Sequence, residues 1–126
     1  MAENPYKKYR EQSINTMTQG ELLGLLYDTC VKRLNEGVYF IEEKNYSKAN
    51  ESLQKAERIL RYLDGTLDRQ YEISENLTLL YDYFLRRIMT GNIHKDVEPI
   101  NEVIPMIEDL GKTFKEAEKI ARQQRN

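Results

Sequence analysis

A chain of 126 residues, 40% hydrophobic and 32% charged with a formal charge of −2, has the size and apolar content of one globular domain that buries its core without metal or disulfide support. Acids and bases alternate along it, which argues against a general nucleic-acid or membrane-surface binder. The single Cys30 excludes an internal disulfide, Met1 to Arg10 lack the apolar stretch of a signal peptide, and no uncharged apolar run approaches the ~20 residues of a bilayer span, so a reducing cytosol is the expected address.

Residues 1–17 are polar, contain Pro5 and hold no sustained period, so they read as an N-terminal arm. A helix over 19–44 then opens on Thr18-Gln19-Gly20-Glu21, a capping box in which the hydroxyl and the carboxylate each satisfy a backbone N–H. Its expected seam is Leu22, Leu26, Cys30, Leu34, Val38 and Ile41. The second helix, 48–69 with Ser47 as cap, repeats apolar residues at Ala49, Leu53, Ala56, Leu60, Leu63 and Leu67, alternating steps of four and three that suit packing at about +20°. The third, 75–91, opens at Ser74 and carries Leu77, Leu80, Phe84 and Ile88, with Gly91-Asn92 as the expected C-cap. The fourth, 97–121, has Pro99 in its first turn and a seam of Ile100, Val103, Ile107, Leu110, Phe114, Ala117 and Ala121; Pro105 removes the bond to the Asn101 carbonyl and predicts a bend. Nothing reads as a strand. The connections are short, so successive helices run antiparallel, and the expected fold is an all-α, up-down-up-down four-helix bundle with an N-terminal arm, 1–126 forming a single domain.

An internal echo supports this. Leu79-Leu80-Tyr81-Asp82-Tyr83-Phe84-Leu85-Arg86-Arg87-Ile88 matches Leu25-Leu26-Tyr27-Asp28-Thr29-Cys30-Val31-Lys32-Arg33-Leu34, 54 positions upstream, with five identities. A repeat one helical hairpin long points to two related hairpins packed together.

Catalytic chemistry is hard to find. A di-metal bundle needs Glu-x-x-His pairs on facing helices, and the one histidine, His94, has no acid three residues before it. Zinc spacing, a Gly-rich phosphate loop and a second His or Cys are missing, so no metal, cofactor or catalytic residue is expected and the chain does not read as an enzyme. His94 leaves open one alternative, a phosphotransfer bundle, although its setting in Gly91-Asn92-Ile93-His94-Lys95-Asp96 places it at a helix end. Lys112, Lys115, Lys119 and Arg122 follow helical spacing near a C-terminus, as a solvated face complementing the helix dipole does.

Apolar residues are left over. Leu25, Tyr39, Ile59, Tyr62, Leu79, Tyr83, Met89, Ile104 and Ile120 fall beside or behind the seams. Ile59, Tyr62, Leu79, Tyr83, Met89 and Ile104 are the candidate binding-groove residues, where the furrows of a bundle accept a partner's helix. A bundle that self-associates through the same positions is the other open reading.

Asn4-Pro5-Tyr6-Lys7-Lys8-Tyr9, Ser13, Asn15-Thr16 and Thr18-Gln19-Gly20-Glu21-Leu22 resemble the N-terminal signature of the FliS family of bacterial flagellin export chaperones, with Gln19 in place of the usual proline. Leu26-Tyr27-Asp28 and Leu80-Tyr81-Asp82-Tyr83-Phe84-Leu85-Arg86-Arg87, then Asn92-Ile93 and Asp96, resemble its two helix motifs. The resemblance implies a cytosolic chaperone for type III secretion that holds the disordered C-terminal segment of flagellin, prevents premature polymerisation and docks on the export-gate protein FlhA. It implies further that the arm, with Tyr6 and Tyr9, covers a groove and contacts the gate, and that a weak homodimer forms without client. Nucleic acid and membrane insertion have no part in it.

Overall fold

The computed structural model describes residues 5–8 and 17–125. Four long helices follow a short helical segment at 5–8: α1 (Gln19–Glu42), α2 (Tyr46–Gly65), α3 (Ile73–His94) and α4 (Val97–Arg125). α1 packs on α2 and α4, and α3 packs on the same two, so α1 and α3 face each other across the bundle's diagonal. Side-chain pairs set the directions. Asp28 meets Lys115 and Glu21 meets Arg122, so α1 and α4 are antiparallel; Asn50 meets Asn92 and Asp64 meets Thr78, so α2 and α3 are as well. The up-down-up-down bundle is the observed architecture.

The helix ends show how the sequence stops one rod and starts the next. Thr18 caps α1, its Oγ1 accepting from the Glu21 N–H at 3.1 Å. At the other end Lys44 adopts φ 61°, while the Lys44 and Asn45 N–H groups donate to the Ile41 and Phe40 carbonyls at 2.9 and 2.8 Å, the crossed pair of a Schellman turn. Asn45, not Ser47, then caps α2 through Oδ1 to the Lys48 N–H. The α3–α4 connection repeats this grammar. Lys95 has φ 52°, the Asp96 N–H donates to the Gly91 carbonyl at 2.9 Å, and Asp96 Oδ1 accepts from the Glu98 N–H at 3.0 Å. Lys44-Asn45 and Lys95-Asp96 are thus equivalent turns of two related hairpins.

Expected boundaries move on all four helices. α1 ends at Glu42, before the left-handed Lys44. α2 ends at Gly65 instead of running to 69, because the Thr66 hydroxyl takes the Leu63 carbonyl at 2.7 Å; Leu67 packs half-buried from the turn beyond. α3 starts at Ile73 and passes through Gly91 to His94. Ser74 is buried, with its hydroxyl donated to the Asp68 carbonyl, and Gly91 serves not as a left-handed cap but as a flat surface against Ile100: a Cβ there would lie 2.6 Å from Ile100 Cγ1 and 2.9 Å from the Asp96 carbonyl oxygen. α4 extends to Arg125 and continues as one helix past Pro105, which is exposed, as is Asn101.

The core seam of α2 is the expected one, Ala49, Leu53, Ala56, Leu60 and Leu63 all being buried. On α1 and α3 the seam is rotated toward tyrosine. Tyr27 and Tyr81, each 2% exposed, take the central positions, while Leu22, Leu26, Leu77 and Leu80 flank them half-buried. The two hydroxyls hydrogen-bond to each other across the diagonal, and Tyr27 stacks on Phe114 at 5.4 Å. The 54-residue echo therefore has a packing cause: the repeated Leu-Tyr-Asp supplies both halves of a buried polar pair that neither hairpin could satisfy alone. Cys30 is fully buried, and desolvation pushes its thiol up to about 12, as suits a small core hydrophobe.

Candidate functional site

The six candidate groove residues do not converge on one spot. Ile59 and Tyr62 sit together on the α2 flank facing α1, in an open furrow of about 330 Å³ that is also lined by Leu26, Arg33, Lys55 and Arg58. Tyr62 is half-exposed and lines the furrow. On α3, Tyr83 turns toward α4 and donates its hydroxyl to Glu102, whose other oxygen accepts from Arg87 Nε at 2.9 Å. These donors hold the Glu102 carboxyl below the usual carboxylate range, and the bond to Glu102 raises the Tyr83 phenol. Leu79, one turn before Tyr83, is 66% exposed and points outward. Met89 lies on the other flank of α3, the one marked by the 2.8 Å Asn92–Asn50 bond to α2.

Ile104 departs from expectation. It is only 8% exposed and belongs to the core, because the buried face of α4 is wider than the expected seam and takes in Ile104 beside Ile100, Val103 and Ile107. Its side chain therefore offers little surface to a partner in this conformation. Tyr6 is exposed within the 5–8 segment, and Tyr9 lies outside the described residues.

Sequence reasoning passed over one surface feature. At the end of the bundle where α2 hands over to α3, Leu23, Leu63, Leu67, Tyr71, Ile73 and Leu77 enclose an apolar cleft of about 210 Å³, with Tyr27, Tyr81 and Phe114 among its walls. Tyr71 and Ile73 stand well exposed at its mouth. The signal was present, since two large apolar residues flank an otherwise polar connector in Asp68-Arg69-Gln70-Tyr71-Glu72-Ile73. A further furrow between α1 and α4, about 320 Å³, is lined by Met17, Gly20, Gly24 and Leu25 and crossed by charge pairs: Lys115 to Asp28 at 2.6 Å, and Arg122 to Glu21 at 3.3 Å. Two of the four cations of the α4 stripe, Lys115 and Arg122, are thus engaged with α1.

His94 is exposed at the last residue of α3. Among the described residues no three His, Cys, Asp or Glu side chains gather into a group that could hold a metal ion, and no helix is long and apolar enough to cross a membrane. What the surface offers is apolar contact area in furrows on several sides of a rigid bundle, rimmed by charge. That is the equipment of a protein that holds another polypeptide.

Residues 2–121 match the family model described as flagellar protein FliS, and the chain belongs to that family. It is 36% identical over 124 residues to the flagellar secretion chaperone FliS of Bacillus subtilis (strain 168), covering 98% of this chain and 93% of that protein. Proteins of the same name from Escherichia coli (strain K12) and Salmonella typhimurium (strain LT2) are each 28% identical, over 110 and 109 residues, with 85% and 84% of this chain covered and 81% of each relative.

Proposed function

We propose that this chain is a cytosolic export chaperone that holds the disordered C-terminal segment of flagellin, keeps it from polymerising and delivers it to the flagellar type III export gate through FlhA. The observation that carries the reading is the distribution of apolar surface: Ile59 and Tyr62 on the α1–α2 furrow, Tyr83 toward α4, Leu79 exposed on the outer face of α3, and Met89 on its flank toward α2. A compact ligand would need these in one pocket. A segment that folds into helices as it wraps the bundle can use them in turn.

The energetics require such a spread. Folding a disordered segment on binding costs about 2 to 5 kcal/mol, so useful affinity needs burial on the order of 1,000 to 3,000 Å², which furrows on several sides supply and a single cleft does not. The reading calls for no nucleotide, metal or covalent step. Tyr6 and Tyr9 belong to the arm that covers a groove in the absence of client and meets the gate in its presence, and the client-free protein forms a weak homodimer.

The test replaces Ile59 and Tyr62 by Glu and Tyr83 by Lys in one protein. All three lie on the flanks, so far-ultraviolet circular dichroism should stay helical. Buried interface anchors lose about 2 kcal/mol or more on truncation, roughly thirtyfold in affinity each, and flagellin binding measured by calorimetry should fall accordingly. Wild type should bind one flagellin with a negative heat-capacity change and a gain of helix, and lose both with tail-deleted flagellin. Equal binding to tail-deleted flagellin would refute the mechanism, and unchanged affinity in a folded triple variant would place the client elsewhere.

A further inference from the structure

The α1–α2 furrow has an electrostatic asymmetry that its apolar floor does not require. Leu26, Ile59 and Tyr62 make the floor, and every charged residue lining it is a cation: Arg33, Lys55 and Arg58. Two of the three are partly neutralised from their own helix, Arg33 by Glu36 at 3.0 Å and Lys55 by Glu51 at 3.5 Å. Arg58 makes no hydrogen bond or close ion pair among the described residues, and its charge acts on Glu57 only through space. Its neighbour Glu57 is turned into the α2–α3 interface, where its carboxylate lies 3.9 Å from Arg61. Further along the same flank Lys48 stands over the Phe40 ring at 5.7 Å, adding another positive charge. The α1–α4 side differs, because there Lys115 and Arg122 already meet Asp28 and Glu21.

An apolar strip whose charged lining is all cationic, and only partly neutralised from its own helices, is complementary to one kind of occupant. A Lys-flanked helix would set like charges against Lys55 and Arg58, and a neutral one would leave Arg58 unpaired as the furrow loses water. A helix with Asp or Glu beside its apolar stripe gains attraction where the furrow lacks a counter-charge. We infer that the α1–α2 furrow is a charge-selective subsite: it takes an acidic amphipathic helix, the stripe resting on Leu26, Ile59 and Tyr62 and the acidic flank facing Lys55 and Arg58. This rests on the chaperone reading above and names the chemistry of the client segment held on this side. Because its rim is solvent-accessible, the subsite acts through discrimination and capture rate more than through total affinity, and it weakens with salt.

The experiment uses the full chain and two labelled peptides of about 20 residues with one Leu stripe, the flanking positions being all Glu in one and all Lys in the other. Fluorescence anisotropy at low salt should favour the Glu peptide by tenfold or more, with the margin shrinking as salt is raised. Lys55→Gln with Arg58→Gln should abolish the preference, and Lys55→Glu with Arg58→Glu should reverse it; neither residue is buried, and circular dichroism checks that the variants keep their helix. Equal affinities for wild type, or a preference that survives charge reversal in a folded variant, would overturn the inference. So would sedimentation showing that a second copy of the chain already fills the furrow. Flagellin binding measured on the same preparations separates the two claims. Flagellin bound without peptide discrimination refutes only the charge selection, whereas peptide discrimination without flagellin binding refutes only the client assignment.

Discussion

Removing one hydroxyl from the diagonal pair should be more damaging than its size suggests. In Tyr27→Phe the ring keeps its stack on Phe114, 5.4 Å between centroids, but the Tyr81 hydroxyl, on a residue 2% exposed, is left without its partner. An unsatisfied buried polar group costs about 1 to 3 kcal/mol, whereas deleting both members of a pair forfeits only the net hydrogen bond, about 0.5 to 1.5 kcal/mol. Each single variant, Tyr27→Phe or Tyr81→Phe, is therefore expected to lose as much as the double variant or more, with a coupling energy of about 1 kcal/mol or above. At ~2.1 cal/mol/K of unfolding entropy per residue, a 126-residue chain shifts its Tm by about 4 °C per kcal/mol, so each single variant should melt roughly 4 to 12 °C early. Urea denaturation followed by circular dichroism measures the whole cycle. Strictly additive losses, or single variants as stable as wild type, would refute the claim that these hydroxyls satisfy each other. Burial raises both phenols above the ordinary tyrosine value, so their contribution is present at neutral pH and is lost as pH rises through the alkaline range.

Two further outcomes follow from packing and burial. Gly91→Ala places a methyl 2.6 Å from Ile100 Cγ1 and 2.9 Å from the Asp96 carbonyl oxygen, which belongs to the turn backbone, so overpacking should cost about 1 to 3 kcal/mol despite alanine's better helix propensity; a thermal melt no lower than wild type would show that the α3–α4 contact yields. Glu57 is buried with Oε1 unpartnered, and desolvation raises its carboxyl pKa against the opposing pull of Arg61 and Arg58. The stability tied to its proton is thus present in acid and lost as pH rises through the folded pKa, so Glu57→Gln should be more stable than wild type at pH 8, with the advantage fading toward pH 4. An advantage that grew in acid would reverse the assignment.

The pairs Asn50–Asn92 and Asp64–Thr78 tie α2 to α3 on either side of Glu57 in the α2 sequence. α3 is thus joined to α2 partly through polar contacts, and its outer flanks carry Leu79, Tyr83 and Met89, three of the proposed client positions.

The four rods, their antiparallel order and the α2 seam were legible in sequence, because apolar residues stepping by four and three leave a helix one stable way to face a core. The Thr18 cap was legible for the same local reason, since its hydrogen bond spans only three residues, whereas the Glu21 carboxylate expected to complete a capping box pairs with Arg122 instead. What tertiary structure decided was everything that depends on a neighbour. Tyr27 and Tyr81 displaced leucines from the seam because each hydroxyl found its partner on the diagonal helix, a fact no single helix encodes. Gly91 looked like a helix end and proved a contact surface, as only the position of Ile100 could reveal, and Ile104 left the candidate groove for the core because the packing of α4 sets its rotation. Local sequence sets where a helix can begin and which face is apolar; which apolar residues stay at the surface depends on the side chains brought against them from elsewhere in the chain.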